Sequence, residues 1–453
     1  MPTFSWQSCF PYTASELFAW HARPGAFARL SPPWRSVKAI SAPKSLRPGT
    51  EVQLKISALG PLGFSWLLRH GEYREGELFT DEQVRGPFRA WRHRHIFAPL
   101  GATQSSLNDE IAYSLPLPAQ PLGFIVARDL NRLFRFRHSL LARDLELHAR
   151  WRALPRKRIL IAGSSGFVGK ALSAFLSTAG HEVHTLVRRT PVAESEHQWD
   201  PAQDSVPQHA IEASDVIIHL GGENIASGRW TAAKKRRLME SRVNSTQALA
   251  RAIASSSMKP AVFIVASGAG FYGDTGSSLA DESGSRGDTF LASLADAWER
   301  AALPVAEHGV RVVNLRIGTV LNAAGGALKL MLPAFRAGVG GVLGSGQQRM
   351  SWIALQDLLG LVEHAIYTES LSGPVNAVAP QIVTNREFTK ALGKHLKRPT
   401  ILPVPAAVLR LLFGELADAA LLSSSAAAPR KALESGYSFL FPDIASALSF
   451  ECP

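Results

Sequence analysis

Three glycines are spaced so that the chain could hold a dinucleotide. Residues 159–176 read ILIAGSSGFVGKALSAFL, in which Gly163, Gly166 and Gly169 follow a strand-like run and open a helix-like one. In such a turn the first glycine permits the tight bend, the second lets the backbone approach the pyrophosphate, and the third lets the helix pack closely on the sheet. Backbone N–H groups at the helix N-terminus then bind the phosphates. The strand–turn–helix context therefore predicts a dinucleotide site rather than a chance glycine-rich turn.

The next strand of the same segment ends in two arginines. The stretch HEVHTLVRRT places Arg188 and Arg189 where a site for NAD usually has an acidic residue on the ribose 2′-hydroxyl. A guanidinium group instead suits a 2′-phosphate, by charge and by paired hydrogen bonds. The alternative is that both arginines only face solvent on a loop. Their position directly after the strand favours NADP(H) as the cofactor.

A third strand, in DVIIHLGGENIA, ends in small residues. Leu220, Gly221 and Gly222 would let the cofactor pass close to the backbone. Glu223 and Asn224 follow at the carboxyl end of the strand, where ligands bind in parallel sheets. We therefore expect the nicotinamide half of the cofactor to lie along this stretch.

The helix after this strand is strongly basic. Arg242 and Thr246 lie one turn apart near its middle, and we expect them to face the cofactor. The basic residues 234–237 are interpreted as a solvated helix face. Glu223 either takes part in proton chemistry or pairs with Arg229 or Arg242.

The usual proton donor is missing. Enzymes that grip a dinucleotide in this way and act on sugars or carbonyl compounds usually carry a tyrosine with a lysine four residues later. No lysine has that spacing from any of the tyrosines, which are Tyr12, Tyr73, Tyr113, Tyr272, Tyr367 and Tyr437. The remaining candidates for proton chemistry are Ser267, Glu223, Tyr272 and Asp357. Ser267 could instead only cap a strand end, Tyr272 could only pack against the cofactor, and Asp357 could only cap a helix. Hydride transfer itself needs only a well-placed nicotinamide.

Alternating strands and helices position these residues. Strands are predicted over 158–162, 183–187, 216–220, 261–266 and 311–317, with a short one over 375–378. Helices are predicted over 167–179, 231–254, 288–306 and 326–337. This order predicts an α/β fold with a doubly wound parallel sheet.

The first third of the chain has a different pattern. Short alternating segments predict strands over 4–10, 49–58, 63–73, 86–97 and 107–115, with a helix over 14–22. Apolar residues at helical spacing predict one long helix over 122–154. In RAWRHRH, Trp91, His93 and His95 alternate with two arginines, as in a strand with one basic face. An antiparallel sheet with a long helix is an α+β arrangement, and it can enclose an apolar cavity.

Composition separates the same two parts. Residues 1–158 contain 23 Lys and Arg against 12 Asp and Glu, whereas residues 159–453 contain 26 against 25. A basic part could attract nucleic acid or acidic lipid, but the arginines are scattered and no aromatic-interleaved motif accompanies them. We therefore expect no nucleic-acid partner. The shift in charge favours a domain boundary near residue 158.

The cysteines and the distribution of apolar residues indicate the cellular location and whether a metal is bound. Cys9 and Cys452 lie near opposite ends of the chain, which excludes a disulfide framework and a paired-cysteine metal site. No metal is expected. The start of the chain lacks a basic segment followed by an apolar run, and no run of about 18 apolar residues predicts a membrane span. A reducing compartment, the cytoplasm, is therefore expected.

Ordered motifs carry a resemblance to a known family. They are GSSGFVG, LVRR, HLGGENIASGRW, SRVNST, SGAGFYGD, LRIGTVLNAAGGAL and MSWIALQD. In this order they resemble the atypical extended short-chain dehydrogenase/reductases, most closely the epimerase-like YfcH-like or SulA-like group. The stretch RPTILPVPAAVLRLLFGELADAALL resembles that group's C-terminal domain of unknown function. Near the start, YTASELFAWHARPGAFARLSPPW resembles the helix-grip superfamily of polyketide-cyclase-like and START-like domains.

The resemblance implies a Rossmann fold, NADP(H) binding and epimerase/dehydratase chemistry on a small-molecule substrate. It also places Ser267 at the position of the active serine, with Tyr272 after it. The chain departs from the superfamily because Phe290 and Leu294 stand where the tyrosine and lysine would be. Together with the motif analysis, it predicts a cofactor site formed by Gly163, Ser164, Ser165, Gly166, Phe167, Val168, Gly169, Arg188, Arg189, Leu220, Gly221, Gly222, Asn224 and Arg242.

Three regions and two functions are therefore expected. A helix-grip domain is predicted over residues 1–152, an NADP-binding Rossmann domain over 157–395 and a C-terminal family-specific region over 396–450. One hypothesis is an NADP(H)-binding epimerase/dehydratase-like oxidoreductase whose N-terminal domain binds an apolar ligand. The other is a non-catalytic NADP(H)-binding sensor or regulatory protein, which the missing tyrosine–lysine pair favours.

Overall fold

Two compact units make up the chain. The computed structural model describes residues 2–41, 45–59 and 62–453. Contacts between Cα atoms group residues 1–154 with 174–180 in a first unit, and residues 155–173 with 181–453 in a second. Among the helices of the described residues, none is both long and apolar enough to span a lipid bilayer.

A seven-stranded antiparallel sheet forms the larger part of the described first unit. Its strands are β1 (Thr3–Phe10), β2 (Val37–Ser41), β3 (Glu51–Leu59), β4 (Leu62–Arg74), β5 (Leu78–Arg85), β6 (Ala90–Pro99) and β7 (Ser105–Ser114). They lie in the order β1-β7-β6-β5-β4-β3-β2. The helices are α1 (Ala14–Ala22), α2 (Ala26–Arg29) and α3 (Gly123–Ala149), the last preceded by a 3₁₀ turn at Leu117–Leu122.

Local chemistry explains where α1 begins and how α3 packs. Thr13 caps α1, because its hydroxyl accepts from Glu16 N while the Glu16 carboxylate accepts from Thr13 N. Along α3, Phe134 and Leu141 are buried at helical spacing against the sheet-derived core clusters. The predicted α+β helix-grip arrangement is confirmed.

Several sequence-based predictions in this unit need correction. Strands β2 and β5 were not predicted, and the strand predicted over 86–97 begins only at Ala90. Residues 86–89 form a bend instead, because Gly86 and Pro87 favour turns. Strand β5 was missed because its second half, DEQVR, is mostly polar, which hides the alternation. The long helix ends at Ala149 rather than at residue 154.

The second unit is built on a parallel sheet. Its strands are β8 (Arg158–Ala162), β9 (Glu182–Val187), β10 (Glu196–Gln198), β11 (Val216–His219), β12 (Val262–Gly268), β13 (Arg311–Ile317) and β17 (Gly373–Ala377). Four short strands lie outside this sheet: β14 (Thr319–Leu321), β15 (Arg349–Met350), β16 (Trp352–Ala354) and β18 (Val383–Thr384). The large sheet has the order β10-β9-β8-β11-β12-β13-β17, and every pair in it is parallel. The predicted doubly wound α/β Rossmann fold is confirmed.

Ten α-helices accompany these strands in the described residues. They are α4 (Phe167–Thr178), α5 (Gln208–Glu212), α6 (Ala232–Ser255), α7 (Phe290–Ala302), α8 (Gly326–Arg336), α9 (Leu355–Tyr367), α10 (Asn385–Leu396), α11 (Ala406–Phe413), α12 (Arg430–Glu434) and α13 (Ile444–Glu451). The helix predicted over 288–306 is shorter than expected. It begins after the cap Thr289 and changes to a 3₁₀ turn at Leu303, because Pro304 cannot donate the next helical hydrogen bond.

The strand order determines where a ligand can bind. From β8 the chain proceeds outward through β9 and β10, and then returns to β11 on the other side of β8. The loops after β8 and β11 therefore leave the sheet side by side at its carboxyl edge. This point of reversal is where ligands bind in doubly wound sheets.

A buried ion pair in the first unit should be essential for its stability. Arg29 Nε donates to Asp144 Oδ2 at 2.8 Å, and both side chains are almost fully buried. We expect Arg29→Ala to lower the free energy of unfolding by about 3–5 kcal/mol, because it leaves a buried carboxylate without its partner. Arg35→Ala is the control, since its pair with Asp129 is about one-third exposed and should contribute less than about 1 kcal/mol. Urea unfolding of the full chain measures both; equal losses would contradict the expectation.

Candidate functional site

The glycine turn after β8 contains two glycines required by packing and one that is not. A Cβ on Gly163, which has φ +90°, would lie 2.6 Å from Gly221 N. A Cβ on Gly169 would lie 2.2 Å from Gly163 O. On the exposed Gly166, by contrast, a Cβ would meet only Gly163 O, at an ordinary 3.4 Å. Packing among the described residues therefore does not account for the glycine at 166.

The other predicted residues of the turn lie around Gly166. Ser165 is exposed, and Ser164 and Val168 are half-buried. Phe167 packs against the backbone of Gly325, where a Cβ would fall 2.2 Å from the ring. The turn is therefore held by the loop before α8 on one side and by the end of β11 on the other.

The two arginines after β9 have different surroundings. Arg189 makes a paired contact with Glu196, in which Nη1 lies 2.8 Å from Oε2 and Nη2 lies 2.5 Å from Oε1. Arg188 is exposed and makes no ion pair or side-chain hydrogen bond with any residue that the structure describes. Of these two arginines, Arg188 is therefore the one whose guanidinium group is available for an anion.

The end of β11 lies directly against a buried arginine. A Cβ on Gly222 would fall 2.8 Å from Arg242 Cζ, and Arg242 Nη2 donates to Glu223 O at 3.0 Å. The Arg242 Nε atom is buried and has no hydrogen-bond acceptor among the described residues. Burial lowers the pKa of Arg242 to about 10, so the side chain remains cationic at neutral pH. Arg242 thus holds the loop that follows Leu220 and places positive charge beneath it.

Glu223 has a partner that was not predicted. Lys234 Nζ lies 2.6 Å from Glu223 Oε1 and also donates to Asn224 O and Ser227 Oγ. The interpretation of residues 234–237 as a solvated face is wrong for Lys234, which is buried. Of the two arginines expected to pair with Glu223, Arg242 binds its carbonyl oxygen, and Arg229 makes no described contact with it; Arg237 Nε lies 3.4 Å from Glu223 Oε2. The hydrogen bond from Lys234 lowers the pKa of Glu223, so that this carboxylate is ionised at neutral pH.

A buried polar chain connects two of the predicted catalytic residues. Ser267 Oγ donates to Glu299 Oε1 at 2.7 Å. Arg316 donates to both oxygens of that carboxylate, each at 2.9 Å. Arg316 Nη1 also donates to Tyr272 Oη at 2.9 Å, and Tyr272 in turn donates to Asn376 Oδ1 at 2.8 Å. The structure thus brings Ser267 and Tyr272 into one network at the carboxyl ends of β12, β13 and β17, and Glu223 makes no described contact with it.

Three members of this network were not predicted from the sequence. Glu299 lies on α7, Arg316 on β13 and Asn376 on β17. The available signal was polar residues within apolar stretches, Arg316 in LRIGTV and Asn376 in GPVNAV. Such residues are buried only when they have partners. The partners lie on other strands and helices, so that the sequence alone does not reveal them.

The strand alternation at the end of β12 separates Ser267 from its neighbour. Ser267 is buried toward Glu299, whereas Gly268 is half-buried and points the other way. A Cβ on Gly268 would meet nothing closer than Gly270 N at 3.9 Å. Gly268 therefore leaves open space beside the end of β12, because it has no side chain.

The helix positions of the missing tyrosine and lysine belong to an apolar cluster. Phe290 stacks edge-on against Trp230, with ring centroids 5.3 Å apart. Leu294 is buried in the same cluster, together with Leu238. Phe290 and Leu294 therefore pack in this cluster and cannot transfer protons. Among the described residues, Glu299 is the carboxylate that α7 contributes to the polar chain.

Three family profiles match the chain. Residues 159–376 match the NAD dependent epimerase/dehydratase family. Residues 10–136 match the polyketide cyclase / dehydrase and lipid transport family, and residues 404–450 match a domain of unknown function, DUF1731. The resemblances predicted from the motifs are confirmed by these matches.

Curated relatives and solved structures agree. The epimerase family protein MT2273 of Mycobacterium tuberculosis is 43% identical over 292 residues, which are 64% of this chain and 96% of that protein. The human epimerase family protein SDR39U1 is 37% identical over 64% of this chain and 98% of its own. A structure described as a nucleoside-diphosphate sugar epimerase from Corynebacterium glutamicum has a TM-score of 0.81 at 31% identity, covering 99% of this chain and 90% of that one. Human SDR39U1 solved with NADPH has a TM-score of 0.61 at 34% identity, covering 65% and 98%.

The phenol of Tyr272 should remain protonated well into the alkaline range. Burial raises its pKa, and Arg316 only partly opposes this. Stability from the neutral phenol is therefore present below the ordinary pKa of 10.0 and is lost as the pH rises through the folded-state pKa. The difference in phenolate absorbance between the native protein and Tyr272→Phe should appear only above pH 10.

Unfolding in urea provides the control for this titration. The same difference should then appear near pH 10, the ordinary value for tyrosine. A native difference at or below that pH would show that Tyr272 is not held in its neutral form.

Proposed function

Because the chain belongs to the NAD dependent epimerase/dehydratase family, we propose that its second unit binds NADP(H) and exchanges a hydride with a small carbonyl or sugar-like substrate. The observation that carries this proposal is the glycine turn, in which Gly166 is exposed and free of packing demands. Residues 157–395 would form the cofactor domain, with a family-specific region over 396–450. Residues 1–152 would form a separate helix-grip domain.

The residues present fit an NADP(H) cofactor. Backbone of residues 163–169 at the start of α4 would receive the pyrophosphate, since a helix N-terminus favours anions. Arg188, which makes no described ion pair, would meet the 2′-phosphate, while Arg189 is already held by Glu196. Leu220, Gly221, Gly222 and Asn224 would lie along the nicotinamide half, with Arg242 beneath them. The human relative solved with NADPH supports this choice of cofactor.

A nicotinamide bound here would supply the hydride, and the residues of the chain would orient the substrate. Ser267 already donates its proton to Glu299, so its oxygen is left to accept a hydrogen bond, as from a substrate hydroxyl. Tyr272 Oη keeps its proton and is held by Arg316 and Asn376. Glu223, ionised beside Lys234, would face the same end of the sheet. In this proposal Ser267, Glu223 and Tyr272 are the catalytic residues, and none replaces the missing acid by itself.

The second candidate is a protein that binds NADP(H) without chemistry and acts as a sensor. It is favoured by α7, where Phe290 and Leu294 stand in place of the proton-donating pair and pack in an apolar cluster. Both functions need the same cofactor site. They differ in whether bound NADPH is oxidised by a substrate.

The first unit and the location of the protein add two further proposals. The helix-grip match includes lipid transport, which supports an apolar ligand. However, the cavity lined by His95, Asp109 and His138 measures about 10 Å³, which is too small for an apolar ligand, so that such a molecule would need other space in this unit. The sequence contains two cysteines, Cys9 and Cys452, and they form no disulfide with each other, which fits a protein of the cytoplasm.

The two arginines after β9 provide a matched test of the cofactor. Arg188→Ala should weaken NADPH binding about 10- to 100-fold, because a charge-assisted hydrogen bond contributes about 1.5–3 kcal/mol. Its affinity for NADH should not change, and Arg189→Ala should leave both affinities within about threefold. Gly166→Ala should lose NADPH affinity while keeping the melting temperature of the native protein. Titrations followed by nicotinamide fluorescence measure each value, and equal effects of the two arginine variants would contradict the assignment.

Single-turnover experiments distinguish the enzyme from the sensor. Protein saturated with NADPH is mixed with a library of carbonyl compounds and keto sugars, and the loss of nicotinamide absorbance is followed. Oxidation by one class of compound, slowed in Ser267→Ala but with NADPH affinity intact, is the result that we expect. If NADPH binds tightly and no compound oxidises it, the sensor is the better description. If turnover is unchanged in Ser267→Ala, that residue has no catalytic role.

A further inference from the structure

Two histidines of the first unit lie between two carboxylates. Asp81 on β5 is paired in register with His93 on β6, and His95 on β6 is paired with Asp109 on β7. Cross-strand partners lie on one face of a sheet, so that all four side chains converge. His93, His95 and Asp109 are buried, and Asp81 is only slightly exposed.

The distances among three of these groups are those of metal ligands. Asp81 Oδ2 lies 3.2 Å from His93 Nδ1 and 3.4 Å from His95 Nε2. One ligand atom from each residue lies within 4.8 Å of the others. A tetrahedral ion with bonds of about 2.0–2.1 Å separates its ligand atoms by roughly 3.3 Å. Charge-assisted hydrogen bonds to a carboxylate would be shorter, about 2.7–2.9 Å.

Asp109 occupies the place of the outer carboxylate in such a site. It faces the ring nitrogens that Asp81 does not face, with Oδ1 2.9 Å from His93 Nε2 and 2.6 Å from His95 Nδ1. The second of these contacts lacks hydrogen-bond alignment. His138 Nε2 also reaches Asp109, at 2.7 Å from Oδ2. A carboxylate that receives the other N–H of a metal-binding imidazole fixes the ring and its tautomer.

A small cavity lies on the Asp109 side of His95. It is lined by His95, Asp109 and His138 but not by Asp81 or His93, and its volume of about 10 Å³ is roughly that of one water molecule. A water there would hydrogen-bond to the outer carboxylate rather than complete the ligand set of the ion.

We propose that Asp81, His93 and His95 bind one divalent transition-metal ion of the Zn²⁺ or Fe²⁺ class, with Asp109 orienting the His93 imidazole. Two nitrogens and one carboxylate oxygen suit these ions better than Ca²⁺ or Mg²⁺, which prefer oxygen ligands. The site lies wholly in the first unit and is independent of the proposed NADP(H) function. The sequence did not predict it, because RAWRHRH was interpreted only as a strand with one basic face.

The competing explanation is a buried network of ion pairs. Arg137 lines the same cavity and supplies one positive charge to the two carboxylates. Without a metal, the second positive charge would come from His93, whose pKa burial lowers but Asp81 and Asp109 raise to about 9. The two explanations differ in an observable way, because only the first predicts a stoichiometric ion.

The test uses the full chain, stripped with a chelator and reloaded with Zn²⁺ or Co²⁺. We expect one ion per chain after gel filtration, with the visible absorption of Co²⁺ bound to nitrogen and oxygen in a low-symmetry site. His184, His197 and His209 form a partly exposed imidazole group in the second unit, with nitrogens 2.9 and 3.2 Å apart. A variant with all three changed to Gln is therefore the control, and it should still bind one ion.

Variants of the proposed ligands complete the experiment. His93→Gln and Asp81→Asn should abolish the ion and its Co²⁺ absorption. Asp109→Asn should weaken affinity by about 10- to 100-fold in competition with a chelator, the usual effect of losing an outer carboxylate. Zn²⁺ should raise the melting temperature of the wild type but not of His95→Gln. A wild-type chain that retains no ion, or an ion lost only in the triple control, overturns the proposal even if a ligand variant fails to fold.

Discussion

The backbone of Gly163 lies so close to that of Leu220 and Gly221 that no β-carbon fits between them. The contact joins the loops after β8 and β11, the two neighbouring strands at which the sheet order reverses. Everything else at this edge depends on it, because the start of α4 and the small residues after β11 must lie side by side to receive one extended ligand. Gly166 lies beyond the contact and is left free to approach that ligand.

Charged side chains are paired in different ways at two places in the candidate site of the second unit. At the end of β11, Lys234 and Arg242 hold Glu223 by its carboxylate and its carbonyl oxygen. At the ends of β12 and β13, Arg316 neutralises Glu299 and links Ser267 to Tyr272. Both arrangements keep the polar groups in one geometry, since a buried charge without a partner is costly. They provide orientation and electrostatics, which fits a site where the cofactor carries the chemistry.

The first unit has its own concentration of buried polar groups. Four strand-borne side chains meet on one sheet face because β5, β6 and β7 are neighbours in register. The epimerase-family relatives match only part of this chain while being covered almost completely themselves. The parallel-sheet unit is thus the part of the chain that these shorter relatives match. The histidine–carboxylate group requires the additional unit, and an ion bound there would act in that unit.

The sequence by itself determined the parallel sheet, the glycine turn and the family, because these depend on local periodicity and on residues adjacent in the chain. It also placed Arg188 and Arg189 correctly after a strand. Only the tertiary structure decided that Arg189 is paired with Glu196 and that Lys234 is buried against Glu223. It also decided that Glu299 and Arg316 connect Ser267 to Tyr272. The sequence did not predict strand β5, which places Asp81 beside His93, because the second half of that strand is mostly polar. Each of these outcomes depends on partners distant in sequence, and a buried charge is recognisable only once the group that neutralises it is in place.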